Sequence, residues 1–185
     1  MDKSLLKFLY RALAISLVAA STFSAASFGH AAPVLIAEGV ATQSNSQAEI
    51  AAMVEEAKVF ASNGKYAEAV LILEKLLGIA EKLFGPDHHD VANVLNAIVN
   101  LLILQGQYTA AEPVARRSLS INEKVFGAEN REVAVSLNNL GSLLSAQNKY
   151  SLAEPFLRRS LAIKEKTFGP DHPEIALALN NLGQL

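Results

Sequence analysis

The sequence predicts an all-α fold of stacked antiparallel helix pairs, and three observations carry that prediction. Ala and Leu dominate a 185-residue chain that is 51% hydrophobic but only 6% aromatic, a composition that favours helices over strands. Apolar residues recur at three- and four-residue steps through the C-terminal three quarters, the period of a helix with one buried face. The third observation is the strongest: the chain resembles itself at a shift of 42 residues, and self-similarity at 20–50 residues marks a repeat architecture.

The shift superposes Gly64-Lys65-Tyr66 on Gly106-Gln107-Tyr108 and Asn148-Lys149-Tyr150. It carries Phe84-Gly85 onto Phe126-Gly127 and Phe168-Gly169, and Leu95-Asn96 onto Leu137-Asn138 and Leu179-Asn180. The second and third copies agree at about half of their positions.

From the N-terminus, residues 1–32 read as an export signal. Lys3, Lys7 and Arg11 precede an apolar core, Ala12 to Ala20, of signal-peptide rather than membrane-spanning length. Small residues then offer cleavage after Ala26 or Ala31, and a less favoured alternative keeps residues 12–28 as a membrane anchor. Cleavage after Ala26 leaves 13 Lys and Arg against 17 Asp and Glu, a formal charge of −4. Residues 33–45 show no helical period and read as a flexible lead-in.

The repeats occupy 46–185, at about 46–87, 88–129 and 130–171, with a partial fourth at 172–185. In each, a first helix meets a tight turn, a second helix and a longer turn. Val133, Leu137, Leu140 and Leu144 line one side of a first helix. Gly141 falls on that side, where a missing side chain admits a neighbouring helix. The turn at Asn148 suits a residue that accepts the left-handed conformation. The second helix presents Tyr150, Ala153, Leu157, Leu161 and Ile163 and ends at Phe168-Gly169. The inter-repeat turn reads FGPDH, FGAEN and FGPDH. Gly stops one helix, Asp171 or His172 caps the next, and Pro173 suits its first turn. Pro113 and Pro155 lie about six residues into second helices, where a lost backbone donor predicts a slight bend or a looser first turn.

The residues of these copies resemble the tetratricopeptide repeat in its 42-residue, kinesin-light-chain-like form. Asn-Asn-Leu-Gly at 138–141 and 180–183, Lys-Tyr-x-x-Ala-Glu-Pro at 149–155, Arg-Arg-Ser-Leu at 158–161 and FGPDHPE at 168–174 carry the resemblance. The first copy departs most, with Ala97 for the second Asn and Val99 for the Gly. The resemblance implies a right-handed TPR solenoid (an α-α superhelix) whose first helices line a concave groove. Carried over by position, Asn96, Asn138 and Asn180 point into that groove, Asn100, Ser142 and Gln184 follow one turn on, and Asn139 and Asn181 lie at its edge. Asn offers both donor and acceptor, so such a ladder suits an extended peptide backbone. The competing reading is that these Asn side chains tie one helix to the next. Groove positions otherwise hold Ser, Val and Leu, which argues against a Lys/Arg carboxylate clamp. Arg116, Arg117, Arg158 and Arg159 fall on second helices and read as a solvated outer face.

Several chemistries find no support. A formal charge of −2 with interspersed signs lacks the basic cluster that nucleic acid demands. With no Cys, disulfides and thiolate chemistry are excluded. Asp87-His88-His89-Asp90 contains zinc-ligand types, but its counterparts Glu129-Asn130-Arg131-Glu132 and Asp171-His172-Pro173-Glu174 mark a capping turn, so no metal is expected. No nucleophile elbow, phosphate loop or paired His-Glu helix occurs; neither an enzyme nor a cofactor is expected.

The expectation is therefore an exported scaffold, periplasmic or secreted, that binds a protein partner's peptide or helix, with no nucleic acid and no membrane beyond the signal segment. Two alternatives stand: the docking region of a longer enzyme, which the resemblance suggests through fused caspase-like protease domains, and a self-assembling module that associates through the terminal helix 173–185. That helix carries Leu179 and Leu182 toward a second helix not in the sequence, which suggests a fragment of a longer protein or a partner-facing surface.

Overall fold

A computed structural model describes residues 49–169 and 172–185, so the signal and lead-in assigned to residues 1–32 and 33–45 lie outside the described residues. Among those described, there are seven helices and no strand: α1 (49–62), α2 (Tyr66–Phe84), α3 (His89–Leu104), α4 (Tyr108–Phe126), α5 (Arg131–Ala146), α6 (Tyr150–Phe168) and α7 (Pro173–Gly183). No helix among them is long and apolar enough to cross a membrane. The chain divides into two units, one up to Leu76 and one from Leu77 to Leu185, with the division inside α2. In the first, α1 buries Ile50, Val54 and Ala57, and α2 buries Ala69, Val70, Leu73 and Leu76.

The second unit is a stack of helix hairpins. α3 packs on α4, α4 on α5, α5 on α6 and α6 on α7, and α3 also touches α5. First helices therefore neighbour first helices, with α4 and α6 as the layer behind them. Its core is aliphatic: Val91, Leu95, Ala80 and Ile121 cluster at one end, and Val133, Leu137, Leu140, Leu143 and Leu144 of α5 are fully buried. Each buried Leu contributes roughly 1.5–3 kcal/mol of transfer free energy.

The helix ends follow from turn chemistry. His88, Asn130 and His172 each cap a first helix, their side chains accepting the backbone N–H of Asp90 (3.3 Å), Glu132 (2.9 Å) and Glu174 (3.2 Å). A helix start has spare N–H donors, and a side-chain acceptor removes one of them. Second helices stop at Gly127 and Gly169, both near φ +80, where a residue with a Cβ is strained. Asn148 is the single described non-Gly residue with positive φ, in the α5–α6 turn. α4 and α6 continue as α-helix through Pro113 and Pro155, and their first turns have no side-chain cap.

Gly141 shows why the hairpin needs a glycine. A Cβ there would lie 2.6 Å from Cγ of Leu157 and 3.4 Å from the Ala153 carbonyl. The helices approach over a bare backbone, and Ala153 narrows the same contact from the α6 side.

Candidate functional site

The face of the second unit formed by α3, α5 and α7 is the candidate site. On α5 the half-buried positions Arg131, Val135, Asn138, Ser142 and Ser145 recur at steps of four, three, four and three, so they form one stripe. The buried residues of α5 fill the remaining circumference. The equivalent positions are Leu177 and Asn180 on α7 and Gln184 at its C-terminal cap, all exposed, while Ile175 and Ala178 are buried.

α3 is different. Every residue from Asp90 to Val99 is buried, and Asn100 is half-buried. Asn96, expected to point into a groove, is 1% exposed. Its Oδ1 accepts from Ser118 Oγ (2.8 Å) and from Asn139 Nδ2 (3.3 Å), and its own Nδ2 donates to Ser136 Oγ (3.2 Å). Three of the four hydrogen bonds that its amide can make are spent on α4 and α5. Asn96 ties helices together and does not line an open face.

The other Asn positions divide between the two readings. Asn139, placed at the edge by its position, is 8% exposed and belongs to the Asn96 network. Asn138 is half-buried, and its Oδ1 accepts from Nδ2 of half-buried Asn181 at 2.8 Å. The Asn138–Asn181 bond repeats the Asn96–Asn139 bond at a shift of 42. Asn ladders thus run along the first helices, and Asn138, Ser142, Asn180 and Gln184 retain accessible surface beside them.

The paired arginines of the second helices do face outward, with Arg116, Arg117 and Arg158 exposed and Arg159 half-buried, but all four also make ion pairs. Arg117 donates to Glu81 (2.6 Å) and to the Pro86 carbonyl. One repeat on, Arg159 donates to Glu123 (2.7 Å) and to the Ala128 carbonyl (2.9 Å). Lys124 pairs with Asp87, and Lys166 with Glu129. Each second helix is thereby fastened to the second helix and turn before it. Arg116 and Arg158 pair within their own helices, with Glu112 and Glu154. A sequence signal existed: Arg117 with Glu81 and Arg159 with Glu123 are opposite charges at one spacing, repeated at the 42-residue period.

Two carboxylates are perturbed. The Arg116 hydrogen bond holds Glu112 below the ordinary value against the opposing effect of desolvation, with Lys149 adding to the lowering. Lys166 lowers Glu129 by hydrogen bond and charge. Glu112 pairs within α4 with Arg116 and also with Lys149, and Glu129, in the α4–α5 turn, pairs with Lys166 of α6.

The tetratricopeptide repeat family profile matches residues 49–124 and 90–166, together more than half of the chain. No curated protein matches the chain. Among solved structures, the chain is similar to the kinesin light chain TPR-like repeats of Podosopora anserina, at 22% identity and TM-score 0.67 over 74% of this chain and 64% of that one. It is also similar to BtubC (BKLC) of P. vanneervenii, at 20% identity and TM-score 0.65 over 98% of this chain and 65% of that one. The chain thus spans just under two thirds of the length of either structure, and at these identities the likeness concerns the fold. With the 42-residue period, the helix hairpins and their capped turns, the profile match places this chain in the tetratricopeptide repeat family.

Proposed function

We propose that this chain is an exported scaffold that binds a peptide or helix of a protein partner along the α5–α7 face, and that it has no catalytic activity of its own. Tetratricopeptide repeat proteins are in general non-catalytic scaffolds for protein–protein interaction, and the finer reading builds on that. Its main support is the accessible stripe: Val135, Asn138 and Ser142 on α5 continue into Leu177 and Asn180 on α7 and Gln184 at its cap. These six side chains carry no charge. They offer amide and hydroxyl groups between aliphatic ones, a surface suited to a neutral backbone or an amphipathic helix. Asn96 and Asn139 have no part in it, since their polar groups are used inside the stack.

Export rests on residues 1–32, with a basic start, a short apolar core and small residues at the cleavage positions. N-terminal sequencing of the mature protein checks it: a chain beginning at Ser27 or Ala32 is expected, and an intact Met1 refutes cleavage. For the face, peptides selected by display on the full chain are retested on a Ser142→Arg/Asn180→Ala variant of unchanged helicity. Binding falls if the stripe is the site. Peptides that bind the variant as well as the parent place the site elsewhere.

A further inference from the structure

We infer that Asn63, in the turn between α1 and α2, is a site of spontaneous covalent modification. Its side-chain amide closes on the backbone nitrogen of Gly64 to a succinimide, and water opens that ring to aspartate or isoaspartate. Asn followed by Gly occurs once in the sequence, at this turn. The reaction draws only on hydroxide and water. Hydroxide removes the Gly64 amide proton, and the nitrogen bonds to Cγ of Asn63. The Cγ–Nδ2 bond breaks, and Nδ2 takes up a proton from water and leaves as ammonia. Water then adds to one of the two ring carbonyls. Attack at Cγ restores the backbone and leaves an aspartate side chain. Attack at the main-chain carbonyl leaves a free α-carboxylate and routes the backbone through Cβ.

Three features of the turn favour closure. Gly64 stands at φ +75, and nothing lies within 4 Å of the place a Cβ would take. The attacking residue therefore brings no bulk to the ring. Asn63 is exposed, and its side chain has no hydrogen-bond partner among the described residues. The backbone donors are loosely held as well. The Asn63 N–H is shared between the Val59 and Phe60 carbonyls, both at 3.2 Å, and the Gly64 N–H reaches the Ala61 carbonyl at 3.2 Å. That is the long end of the amide range.

The repeat supplies internal controls. Gly106 has nearly the same backbone, at φ +71, but Gln105 precedes it, and one more methylene makes the ring larger and slower to close. In the α5–α6 turn Asn148 precedes Lys149, whose N–H is held by the Leu144 carbonyl at 2.9 Å. The Asn148 side chain is also engaged, accepting from the Tyr150 hydroxyl at 2.8 Å. Only the α1–α2 turn joins a short, unengaged amide to a glycine. Either product places a carboxylate at the C-terminal end of α1, where the helix already carries partial negative charge. Isoaspartate also adds a carbon to the backbone inside the turn that lets the Lys65 N–H reach the Phe60 carbonyl at 2.9 Å. Modification therefore loosens the α1–α2 hairpin and leaves the residues of the α5–α7 face unaltered.

The test is incubation of the folded full chain at mildly alkaline pH in isotope-labelled water, followed by tryptic mapping of the Val59–Lys65 peptide. The expected result is conversion of this peptide to two acidic isomers, each with one oxygen from the labelled water. Hydroxylamine should cleave the ageing chain between Asn63 and Gly64, and the thermal midpoint should fall as conversion proceeds. Asn63→Gln, which copies Gln105, abolishes conversion. Gly64→Asn, which copies the residue at Asn148 and so keeps the turn, slows it severalfold. The inference is overturned if the folded parent stays intact while the urea-unfolded chain converts, because the turn then protects the pair. It is equally overturned if Gly64→Asn converts as fast as the parent. An unchanged thermal midpoint at full conversion would refute the loosening of the hairpin.

Discussion

The two interfaces on either side of α5 use one backbone plan and different side-chain chemistry. Where α3 and α4 meet α5, Ser118 donates to the Ala92 carbonyl (3.0 Å) and to Asn96, and Ser136 receives Asn96 and Asn122. Where α5 and α6 meet α7, Ser160 donates to the equivalent carbonyl, that of Ala134 (2.7 Å). There Ala178 replaces Ser136, and Lys164 replaces Asn122. Lys164 is 6% exposed and pairs with Glu174 at 3.0 Å. A neutral buried network in one interface has become an ion pair in the next. The hairpins show a second exchange: Gly141 with Leu157 in α5–α6 stands where α3–α4 has Val99 with Ala115, all four buried. Bulk removed from one helix reappears on its partner, so the helix spacing survives a departure from the repeat pattern. The lesson is that such repeats preserve volume and hydrogen-bond closure at a contact and leave residue identity free.

The largest effect is expected where the interfaces share a residue. Leu137→Asp puts an unpaired charge into the α5 core and should cost about 4 kcal/mol or more. A single loss of helicity covering both interfaces is expected in thermal unfolding; survival of one would show that they are independent. Gly141→Val should cost about 1–3 kcal/mol through overpacking against Leu157. Adding Leu157→Ala recreates the Val99/Ala115 pair and should recover most of that loss, measured as a non-additive double-mutant cycle in urea. Strict additivity would refute the exchange of volume.

Glu174→Gln, which leaves Lys164 without its charged partner, should cost roughly 1 kcal/mol, since Glu174 is partly exposed. Added salt should shrink the difference between parent and variant. Ser136→Ala, in the neutral interface, should cost about 1 kcal/mol with no such salt dependence. Equal salt responses would erase the distinction between the interfaces. The smallest effect concerns Glu112. Its folded-state pKa is depressed, chiefly by Arg116, so its contribution is present above the unfolded carboxylate value and is lost as pH falls through the folded one. The urea midpoint of the parent should therefore fall more than that of Glu112→Gln on going from pH 7 into the acid range below pH 4. A parallel decline would remove Glu112 from the account.

Much of the fold was legible because it is written in local rules. The capping roles of His88, Asn130 and His172, the stops at Gly127 and Gly169, and the close approach at Gly141 all follow from a few neighbouring residues. The candidate face was legible only in outline. Position in the repeat put Asn96 beside Asn138 and Asn180, yet Asn96 is closed within the stack, Asn138 half-closed and Asn180 open. The fastening roles of Arg117 and Arg159 were hidden because the partner of each lies 36 residues away on another helix.

By itself, the sequence determined the period, the helices and their ends, since helix propensity, left-handed turns and caps depend on residues within one or two turns of each other. Only the tertiary structure decided which Asn is spent inside and which remains available. Burial and hydrogen-bond closure depend on what the neighbouring hairpin brings to the contact, and residues that occupy equivalent places in the repeat need not have equivalent neighbours.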